Sequence, residues 1–358
     1  MSTIFEQLAS YDHEQILFCR NDDVGLRAII AIHNTTLGPA LGGCRLYDYA
    51  SEADAVRDVL RLSRGMTYKA AVAGLDLGGG KAVILGDPAT KTEAMFRAFG
   101  RHVQSLYGRY ITAEDMNTSV EDMDNIRRET KHVTGSAAAQ GGSGDPSPVT
   151  AWGCFHGIRA CLEVTYGSPE VAGRTVAIQG VGNVGYWLAK YLHQAGAKLV
   201  YADISKRNLT RATEEFGGTV VEGDEIYKAS CDVLAPCAIG GILNSRTIPM
   251  VRAPIIAGGA NNQLDDETRD GETLATRGIA FAPDYVINAG GLINVYSELK
   301  GYPREKAMQD AANIFNTVKR IINKAKSEGT TTVQAANQVA QERIEQVGRL
   351  RRLHLGPA

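Results

Sequence analysis

The chain has 358 residues, of which 44% are apolar and 22% are charged, and its formal net charge is −2. This length is typical of two domains of ordinary size, and the composition is that of a globular protein with a sizeable core. The small net charge gives no electrostatic reason to expect nucleic acid or an anionic membrane as a partner, so small metabolites fit better.

Six cysteines are scattered along the chain without a C-x-x-C pair and without a histidine at metal-ligand spacing. We therefore expect reduced thiols and no metal site. Residues 1–15 lack a basic segment followed by an apolar core, and nowhere do 18 apolar residues run together. These patterns predict a cytoplasmic protein without a membrane segment.

The N-terminal part of the chain predicts helices mixed with strands. Residues 3–10 have a helical pattern, and residues 15–19 and 26–33 are β-rich segments that flank a turn, which favours an antiparallel pair. Residues 38–43, GPALGG, predict a loop whose backbone amides face a ligand, although a plain turn explains them equally well.

A helix is predicted to begin at Ser51, because Ser51 followed by Asp54 approximates a capping box. Apolar residues then recur at helical spacing and define the face that we expect to point inward: Ala55, Val59, Leu62 and Met66. Lys69 lies one helical step beyond this face. Burying a lysine without a partner is costly, which favours a ligand carboxylate as its partner.

Lys81 follows three glycines, residues 78–80, and precedes an apolar run of strand type, residues 82–85. Glycines let the backbone pass close to a ligand, and burial at the mouth of a strand favours the neutral amine that base catalysis requires. A glycine turn followed by a surface lysine is the alternative, and residue types alone do not decide between the two.

Asp115 is a further candidate, because it follows a predicted short strand at residues 110–112, itself preceded by a helix at residues 92–106. Side chains at strand ends tend to enter clefts. Capping of the next helix, predicted for residues 119–130, is the alternative, and spacing alone favours it because Asp is a frequent N-cap residue.

The clearest change of composition is GSAAAQGGSGDPSP at residues 135–148, which predicts a domain boundary and a hinge. We expect residues 1–140 to form a substrate-binding domain and residues 141–331 a dinucleotide-binding domain. The last helix, at about residues 332–358, is expected to pack back on the first domain. An active-site cleft is expected between the two domains.

The second domain contains a dinucleotide-binding pattern. A strand at residues 175–179 is followed by GVGNVG at 180–185, by a helix, and by a strand that ends at Asp203. This order predicts a βαβ unit in which the helix N-terminus binds a pyrophosphate. Asp203 would accept hydrogen bonds from the adenosine ribose and repel a 2′-phosphate, which favours NAD over NADP although Lys206 and Arg207 lie nearby.

Four more strands are predicted, each followed by a loop of small residues, at residues 219–221, 232–235, 254–257 and 279–281. The fold class is therefore α/β, with an N-terminal α/β domain followed by a Rossmann-type doubly wound domain. A single amphipathic helix is predicted over residues 303–327, and the basic end at residues 349–355 has no explanation beyond solvation or a surface contact.

Seven short motifs together resemble the amino-acid dehydrogenase family, which holds the glutamate, leucine, phenylalanine, valine and tryptophan dehydrogenases. The motifs are GMTYK at 65–69, GGGK at 78–81, AED at 113–115, DPSPVT at 145–150, PCA at 236–238, GANN at 259–262 and NAGG at 288–291. The resemblance covers nearly the whole chain, and the chain length resembles the shorter leucine, phenylalanine and tryptophan branch.

This resemblance implies roles for individual residues. Lys81 would be the general base or acid, and Asp115 would shuttle protons to and from the substrate nitrogen. The residues implied to hold the substrate α-carboxylate are Lys69, Gly42, Gly43 and Asn262. The residues implied to bind NAD are Thr150, Gly180, Gly182, Asn183, Val184, Gly185, Asp203, Ala238, Asn261 and Asn288. Lys81 is expected to be neutral because of burial and the charge of Lys69.

The implied reaction is the reversible oxidative deamination of an L-amino acid to a 2-oxo acid and ammonia. The residues expected to line the side-chain pocket are Leu41, Ala113, Leu292 and Val295, which favour an apolar substrate. Leu41 and Ala113 resemble the leucine-specific members, whereas Asn117 and residues 292–296 resemble the aromatic-specific members. We expect leucine and other branched-chain substrates, with aromatic amino acids as the alternative.

The sequence leaves the oligomer size and one rival function open. The family includes dimers and octamers, so a homo-oligomer is expected without a defined size. A non-catalytic NAD-binding protein is the main rival function, but it would need neither the two lysines nor an acid such as Asp115.

Overall fold

The structure is a computed structural model that describes residues 3–136, 142–301 and 303–350. The chain divides into two compact units. The first unit runs through Gly144 and resumes at Val339, and the second unit is Asp145–Gln338. The predicted boundary at residue 140 falls in the same Gly- and Ser-rich stretch, of which residues 137–141 lie outside the described residues.

The first unit is built on a five-stranded sheet of order β1-β2-β4-β3-β5. Its strands are β1 Gln15–Asn21, β2 Leu26–Asn34, β3 Ala40–Tyr47, β4 Gly78–Leu85 and β5 Tyr110–Glu114. Its first four helices are α1 Ile4–Tyr11, α2 Glu52–Val72, α3 Glu93–Ser105 and α4 Val120–Arg127. The predicted antiparallel pair of β1 and β2 is confirmed, and β3 runs parallel to both β4 and β5.

Alternate residues of β2 serve the two faces of this sheet, as the period of a strand requires. Ile29 and Ala31 pack with Val59 of α2 on one face. Ile30 and Ile32 pack with the α3 side of the sheet on the other face. The sheet is therefore covered by helices on both faces, which explains why β2 and β4 are buried along most of their length.

Two predictions for this unit are wrong in detail. Residues 40–43 belong to strand β3 and do not form a loop. A methyl group at position 42 would lie 1.7 Å from the carbonyl oxygen of Gly80, so the glycine serves close strand packing. In α2, Ser51 is the N-cap as predicted, but the buried face continues through Ser63 and Thr67, and Leu62 and Met66 are only half-buried.

The second unit contains a six-stranded parallel sheet of order β11-β10-β9-β6-β7-β8. The strands are β6 Thr175–Gln179, β7 Lys198–Ala202, β8 Thr219–Val220, β9 Val233–Pro236, β10 Ile255–Ile256 and β11 Ala280–Phe281. Counted along the chain from β6, this is the order 3-2-1-4-5-6 of the doubly wound dinucleotide-binding fold, which confirms the predicted fold class.

The helices of the second unit begin with α5 Ser147–Tyr166 and α6 Asn183–Gln194. The others are α7 Lys206–Phe216, α8 Glu225–Lys228, α9 Glu267–Thr276, α10 Asp284–Ile287, α11 Gly290–Leu299, α12 Arg304–Ala312 and α13 Ile314–Glu328. The single helix predicted over residues 303–327 is thus wrong. Asn313 separates α12 from α13, and i to i−3 hydrogen bonds at Asn313 and Asn316 tighten the chain there.

The last helix, α14 Thr332–Gly348, contributes its C-terminal half to the first unit. Within that unit, Arg343 donates hydrogen bonds to the carbonyl oxygen of Leu75 at 2.6 Å and to the carboxylate of Asp76 at 3.0 Å. The basic end from residue 351 onward lies outside the described residues. Among the residues that the structure describes, no helix has the length and apolar character to cross a bilayer.

Candidate active site

Lys81 and Asp115 form an ion pair in the first unit. Lys81 lies in β4 and is only 5% exposed, and its Nζ is 2.9 Å from Oδ1 of Asp115. Asp115 directly follows β5, so two strands on either side of β3 deliver the two side chains. The structure therefore brings together both residues that the sequence predicts to be catalytic.

Asp115 does not cap the following helix, so the alternative interpretation of this residue is wrong. The N-cap of α4 is Ser119, whose hydroxyl accepts a hydrogen bond from the backbone amide of Asp122. The carboxylate of Asp115 is left to contact Lys81 through one oxygen and Arg45 through the other.

Arg45 is the charged residue that the sequence did not reveal. It lies in β3, and its Nε is 2.9 Å from Oδ2 of Asp115 while its Nη1 is 2.8 Å from Oδ2 of Asp58. Its side chain is 18% exposed. Arg45 and Asp115 are 70 positions apart, so no local motif could have joined them.

The charge of Asp115 follows from these contacts. Burial raises the pKa of this carboxyl, but the positive charges of Lys81 and Arg45 and their hydrogen bonds outweigh burial and lower the pKa from 3.8 to about 2. Asp115 is therefore ionised at neutral pH. The neutral amine expected of Lys81 stays a prediction.

Glycines allow the close approach of the elements around this pair. A methyl group at position 43 would lie 2.7 Å from Cβ of Asp115, and one at position 79 would lie 2.1 Å from Oγ1 of Thr67 in α2. The second contact packs α2 against the start of β4. Lys69 is two residues beyond Thr67, near the end of α2 as predicted, and is half-buried.

The residues predicted to line the side-chain pocket fall into both units. Leu41 and Ala113 are buried in β3 and β5 of the first unit, while Leu292 and Val295 lie three residues apart on α11 of the second unit. Three residues place two side chains on one face of a helix. Whether the four line a common pocket stays a prediction.

The glycine-rich turn of the second unit has the form that a dinucleotide requires. Gly180 has φ 90°, which favours glycine, and a methyl group at position 185 would lie 1.9 Å from the carbonyl oxygen of Gly180. Gly182 is the N-cap of α6 and carries no side chain that could cap the helix. Within the described parts of the chain, a methyl group there would have no neighbour within 4 Å.

Asp203 lies at the end of β7 as predicted, and its carboxylate has structural partners. One oxygen accepts a hydrogen bond from the backbone amide of Val181 and the other from the amide of Ser205, each at 2.7 Å. Asp203 therefore holds the glycine-rich turn in place.

The other residues predicted to bind the cofactor lie on loops that contact this turn or one another. A methyl group at Gly180 would meet Cβ of Ala238 at 2.6 Å, and one at Gly259 would meet the side chain of Val184 at 2.8 Å. Nδ2 of Asn288 donates to Oδ1 of Asn261 at 2.7 Å.

Thr150 is joined to the same loops through glycine. A methyl group at Gly291 would lie 2.9 Å from Oγ1 of Thr150, and one at Gly290 would lie 2.9 Å from its Cα. Oδ1 of Asn288 is buried without a hydrogen-bond partner among the described residues. These contacts connect predicted cofactor residues of α5, α6 and the neighbouring loops, and Oδ1 of Asn288 is a buried acceptor among them.

Two residues near Asn261 have roles that the sequence did not indicate. Gln263 is fully buried, and its Nε2 donates to the carbonyl oxygens of Gly258 at 2.7 Å and Ala260 at 3.1 Å. The backbone amide of Asn262 donates to the carboxylate of Asp284, and Asn262 has a positive φ of 50°. These contacts fix the loop after β10.

Two models of a known protein family match the chain, one in each part of it. The family model described as Glu/Leu/Phe/Val dehydrogenase, dimerisation domain, matches residues 13–132, and the model described as Glutamate/Leucine/Phenylalanine/Valine dehydrogenase matches residues 141–206 and 202–352. The leucine dehydrogenase of Bacillus cereus is 53% identical over 353 residues, which cover 98% of this chain and 96% of that protein.

Proteins named for aromatic substrates are also similar. The phenylalanine dehydrogenase of Bacillus thermotolerans is 46% identical over 99% of this chain and 94% of its own length. The crystal structure of L-tryptophan dehydrogenase from Nostoc punctiforme superposes with a TM-score of 0.87 at 48% identity, covering 97% of this chain and all of that chain. The chain therefore belongs to the glutamate/leucine/phenylalanine/valine dehydrogenase family of amino-acid dehydrogenases.

Proposed function

We propose that this protein catalyses the NAD-dependent, reversible oxidative deamination of L-leucine and other branched-chain L-amino acids to the 2-oxo acids and ammonia. The observation that carries the proposal is the buried ion pair of Lys81 and Asp115, in a chain whose other unit has the dinucleotide-binding topology. The 53% identity to leucine dehydrogenases over nearly the whole chain supports the substrate class.

The residues of the second unit fit a nicotinamide dinucleotide. The open space at Gly182 and the uncapped start of α6 suit a pyrophosphate, because helix N-termini bind anions through free amides. The unpaired Oδ1 of Asn288 suits a carboxamide donor. Asp203, an acid at the end of β7, suits the ribose hydroxyls of NAD. When bound, NAD supplies the acceptor for the hydride that leaves the substrate Cα.

The residues of the first unit would handle the substrate and its protons. Lys69 would bind the α-carboxylate by a charge-assisted hydrogen bond, with Asn262 of the second unit as a further contact. The substrate ammonium would first give up a proton, with Asp115 as the acceptor. Loss of hydride from the amine then leaves an iminium, which water must attack. Lys81 would take a proton from this water. The hydroxyl proton of the carbinolamine then moves to its nitrogen, with Lys81 and Asp115 as carriers, and ammonia leaves as the C=O bond forms.

Asp115 has a role that follows from its low pKa. A carboxyl with a pKa of about 2 is ionised before the substrate binds, so it would stabilise a cation beside it and accept a proton only transiently. Lys81 must release its proton before it can act as a base, and the substrate ammonium that replaces it near Asp115 is also a cation. Asp115 would thus exchange the ammonium of Lys81 for the ammonium of the substrate as its positive partner.

The side-chain preference would come from apolar surfaces. The residues that we propose to line the pocket are Leu41, Ala113, Leu292 and Val295. An apolar lining discriminates poorly between apolar side chains, since one methylene is worth only about 1–3 kcal/mol. The similar proteins include aromatic-specific members, and so activity on phenylalanine or tryptophan is the second candidate function.

The test is reduction of NAD at alkaline pH with a panel of L-leucine, L-isoleucine, L-valine, L-phenylalanine, L-tryptophan, L-glutamate and D-leucine. We expect the highest kcat/KM with L-leucine, none with D-leucine, and a clear preference for NAD over NADP. Highest activity with an aromatic amino acid would overturn the branched-chain assignment. Absence of reaction with every amino acid would overturn the dehydrogenase function and favour a non-catalytic NAD-binding role.

We also propose a cytoplasmic homo-oligomer, either a dimer or an octamer. The family model that matches residues 13–132 is described as a dimerisation domain, and Phe18 of the edge strand β1 is 51% exposed. An exposed edge strand with a large apolar side chain is a surface that proteins usually cover. Light scattering of the purified protein gives the oligomer size, and cell fractionation tests the location; a monomer would contradict the proposal.

A further inference from the structure

We propose that Arg45 is a positioning residue for the reaction: it holds one oxygen of Asp115 so that only the other oxygen contacts Lys81, and Asp58 and Tyr49 hold Arg45 in turn. The inference rests on the proposed dehydrogenase function. Arg45 lies in the first unit, beside the candidate catalytic pair of Lys81 and Asp115, and is not itself a catalytic residue.

The geometry divides the carboxylate of Asp115 between two cations. Oδ1 is 2.9 Å from Nζ of Lys81, and Oδ2 is 2.9 Å from Nε of Arg45. The three residues come from β4, β3 and the end of β5, which are adjacent in the sheet. A guanidinium is planar and its donors are fixed, so it restricts the rotation of the carboxylate more than an ammonium would.

Arg45 is itself anchored on the side away from Asp115. Oδ2 of Asp58, in α2, accepts hydrogen bonds from Nη1 of Arg45 at 2.8 Å and from the hydroxyl of Tyr49 at 2.7 Å. The side chains of Arg45 and Asp58 are 18% and 16% exposed. Two carboxylates on one guanidinium fix its position and balance the charges along the series Lys81, Asp115, Arg45 and Asp58.

The consequence for Lys81 follows from electrostatics. Without Arg45, both oxygens of Asp115 are available to the ammonium of Lys81, and a like charge near that ammonium has gone. Both changes favour the charged form of Lys81 over the amine that accepts a proton from water. With Arg45 in place, Asp115 therefore stabilises the ammonium of Lys81 less, and Lys81 releases its proton more easily.

Two buried titratable groups that interact with Asp115, Cys44 and Tyr110, are uncharged at neutral pH. Burial, as the largest cause, raises the pKa of the Cys44 thiol and that of the Tyr110 phenol well above their usual values. The hydroxyl of Thr118, which accepts a hydrogen bond from the backbone amide of Asp115, does not titrate. Lys81 and Arg45 therefore set the charge balance at Asp115, with Asp58 acting through Arg45.

The test compares Arg45→Gln, Arg45→Lys and Asp58→Asn with the parent, using L-leucine, NAD and a full pH profile of kcat. Arg61→Gln is the matched control, because Arg61 contacts the other oxygen of Asp58 at 3.3 Å and its side chain is 56% exposed. For Arg45→Gln we expect about a hundredfold loss of kcat and a shift of the ascending limb by about one pH unit to higher pH.

The remaining variants should follow the same logic. Arg45→Lys keeps the charge and should recover part of the loss. Asp58→Asn removes a negative charge and should shift the limb by less and to lower pH, and Arg61→Gln should match the parent. The Kd for NAD should stay within about threefold in all of them. A merely structural role would lower the amount of active enzyme without moving the limb, so an unshifted limb in Arg45→Gln overturns the proposal. If that variant does not fold, an unshifted limb in Asp58→Asn overturns the proposal.

A second measurement does not depend on turnover. The carboxyl carbon of Asp115 can be followed by NMR in protein labelled with ¹³C-aspartate, with Asp115→Asn identifying the resonance. We expect its titration midpoint in Arg45→Gln to move to higher pH, and an unchanged midpoint overturns the proposal. If the parent oxidises no amino acid, the proposed function fails, and this titration still decides the Arg45 contact.

Discussion

The two units prepare their candidate sites by different physical means. In the first unit the site is made of charged side chains that are already paired with one another, with Asp115 held between Lys81 and Arg45. In the second unit it is made of backbone turns, glycines and asparagine amides around the start of α6. Ion pairs fix the geometry of the first site, whereas glycines without side chains shape the second site.

This difference has a cost in each case. Buried charges lose solvation, which the protein offsets only by complete pairing, and so removal of one member disturbs the others. Glycines carry a larger conformational entropy loss on folding but leave backbone amides accessible. The first unit should therefore respond to changes of charge, and the second unit to added methyl groups.

The largest effect expected is that of Lys81→Ala. It should lower kcat for leucine by about a thousandfold, because the base is lost, while the Kd for NAD stays at the parent value. Steady-state kinetics and a fluorescence titration with NAD measure the two quantities. Lys131→Ala, at an exposed lysine of the same unit, is the control. Activity within about tenfold of the parent would show that Lys81 is not the base.

A matched pair of glycine variants sharpens the contrast between the units. In Gly43→Ala the new methyl group would lie 2.7 Å from Cβ of Asp115, so we expect a loss of about 2 kcal/mol in unfolding free energy and a lower kcat. In Gly182→Ala the methyl group enters open space, so stability should be unchanged while the Kd for NAD rises about tenfold, which is about 1.4 kcal/mol.

Denaturant unfolding and NAD titration of both variants provide the measurements. The contrast between the units would be broken if Gly182→Ala lost stability without losing NAD affinity. It would also be broken if Gly43→Ala weakened NAD binding as much as Gly182→Ala does.

Asp203 is the charged side chain of the second unit that blurs the contrast. Because its carboxylate accepts hydrogen bonds from the amides of Val181 and Ser205, Asp203→Asn should loosen the glycine-rich turn and raise the Kd for NAD about tenfold. The preference for NAD over NADP should fall as well, since a charge that repels a 2′-phosphate has gone. Kinetics with both cofactors test this, with Glu170→Gln as a control at an exposed acid. An unchanged preference would direct attention to Lys206 and Arg207.

The contrast also explains what the sequence could predict. The strand, the glycines at 180–185, the helix and Asp203 follow one another along the chain, so local spacing indicates the dinucleotide unit, and the strand order confirms the fold. Arg45 contacts Asp115 across 70 positions and Asp58 across 13, and no local pattern encodes such pairs.

The errors have the same origin. Residues 40–43 have the composition of a turn, but their glycines serve contacts between neighbouring strands that only the assembled sheet reveals. Likewise, the contact between Asp115 and Lys81 depends on the order of strands β4, β3 and β5, which local spacing does not reveal.

The smallest effect concerns a neutral side chain of the first unit. His33 is 6% exposed; Nε2 donates to the carbonyl oxygen of Tyr11 at 3.0 Å, and Nδ1 accepts from the hydroxyl of Thr67 at 2.8 Å. Burial, followed by the charge of Arg64, lowers its pKa from 6.5 to about 4. The unfolded chain therefore binds a proton below pH 6.5 that the folded protein excludes until about pH 4, so the stability due to His33 falls as the pH falls through this window.

Between pH 7 and pH 5.5 this linkage amounts to about 1 kcal/mol, so His33→Gln should lose about 1 kcal/mol less than the parent over that interval. His156 of the second unit, whose pKa burial also lowers to about 4, is the matched site for His156→Gln. Denaturant unfolding at the two pH values, with hydrogen exchange to separate the units, measures the effect. An equal loss in parent and His33→Gln would show that His33 does not couple folding to pH. Hydrogen exchange can give a different result for each unit: amides of the first unit are better protected at pH 5.5 in His33→Gln, and amides of the second unit in His156→Gln. In that case the stability of each unit depends on pH through its own buried histidine, and the two units respond separately to charge in stability as well as in catalysis.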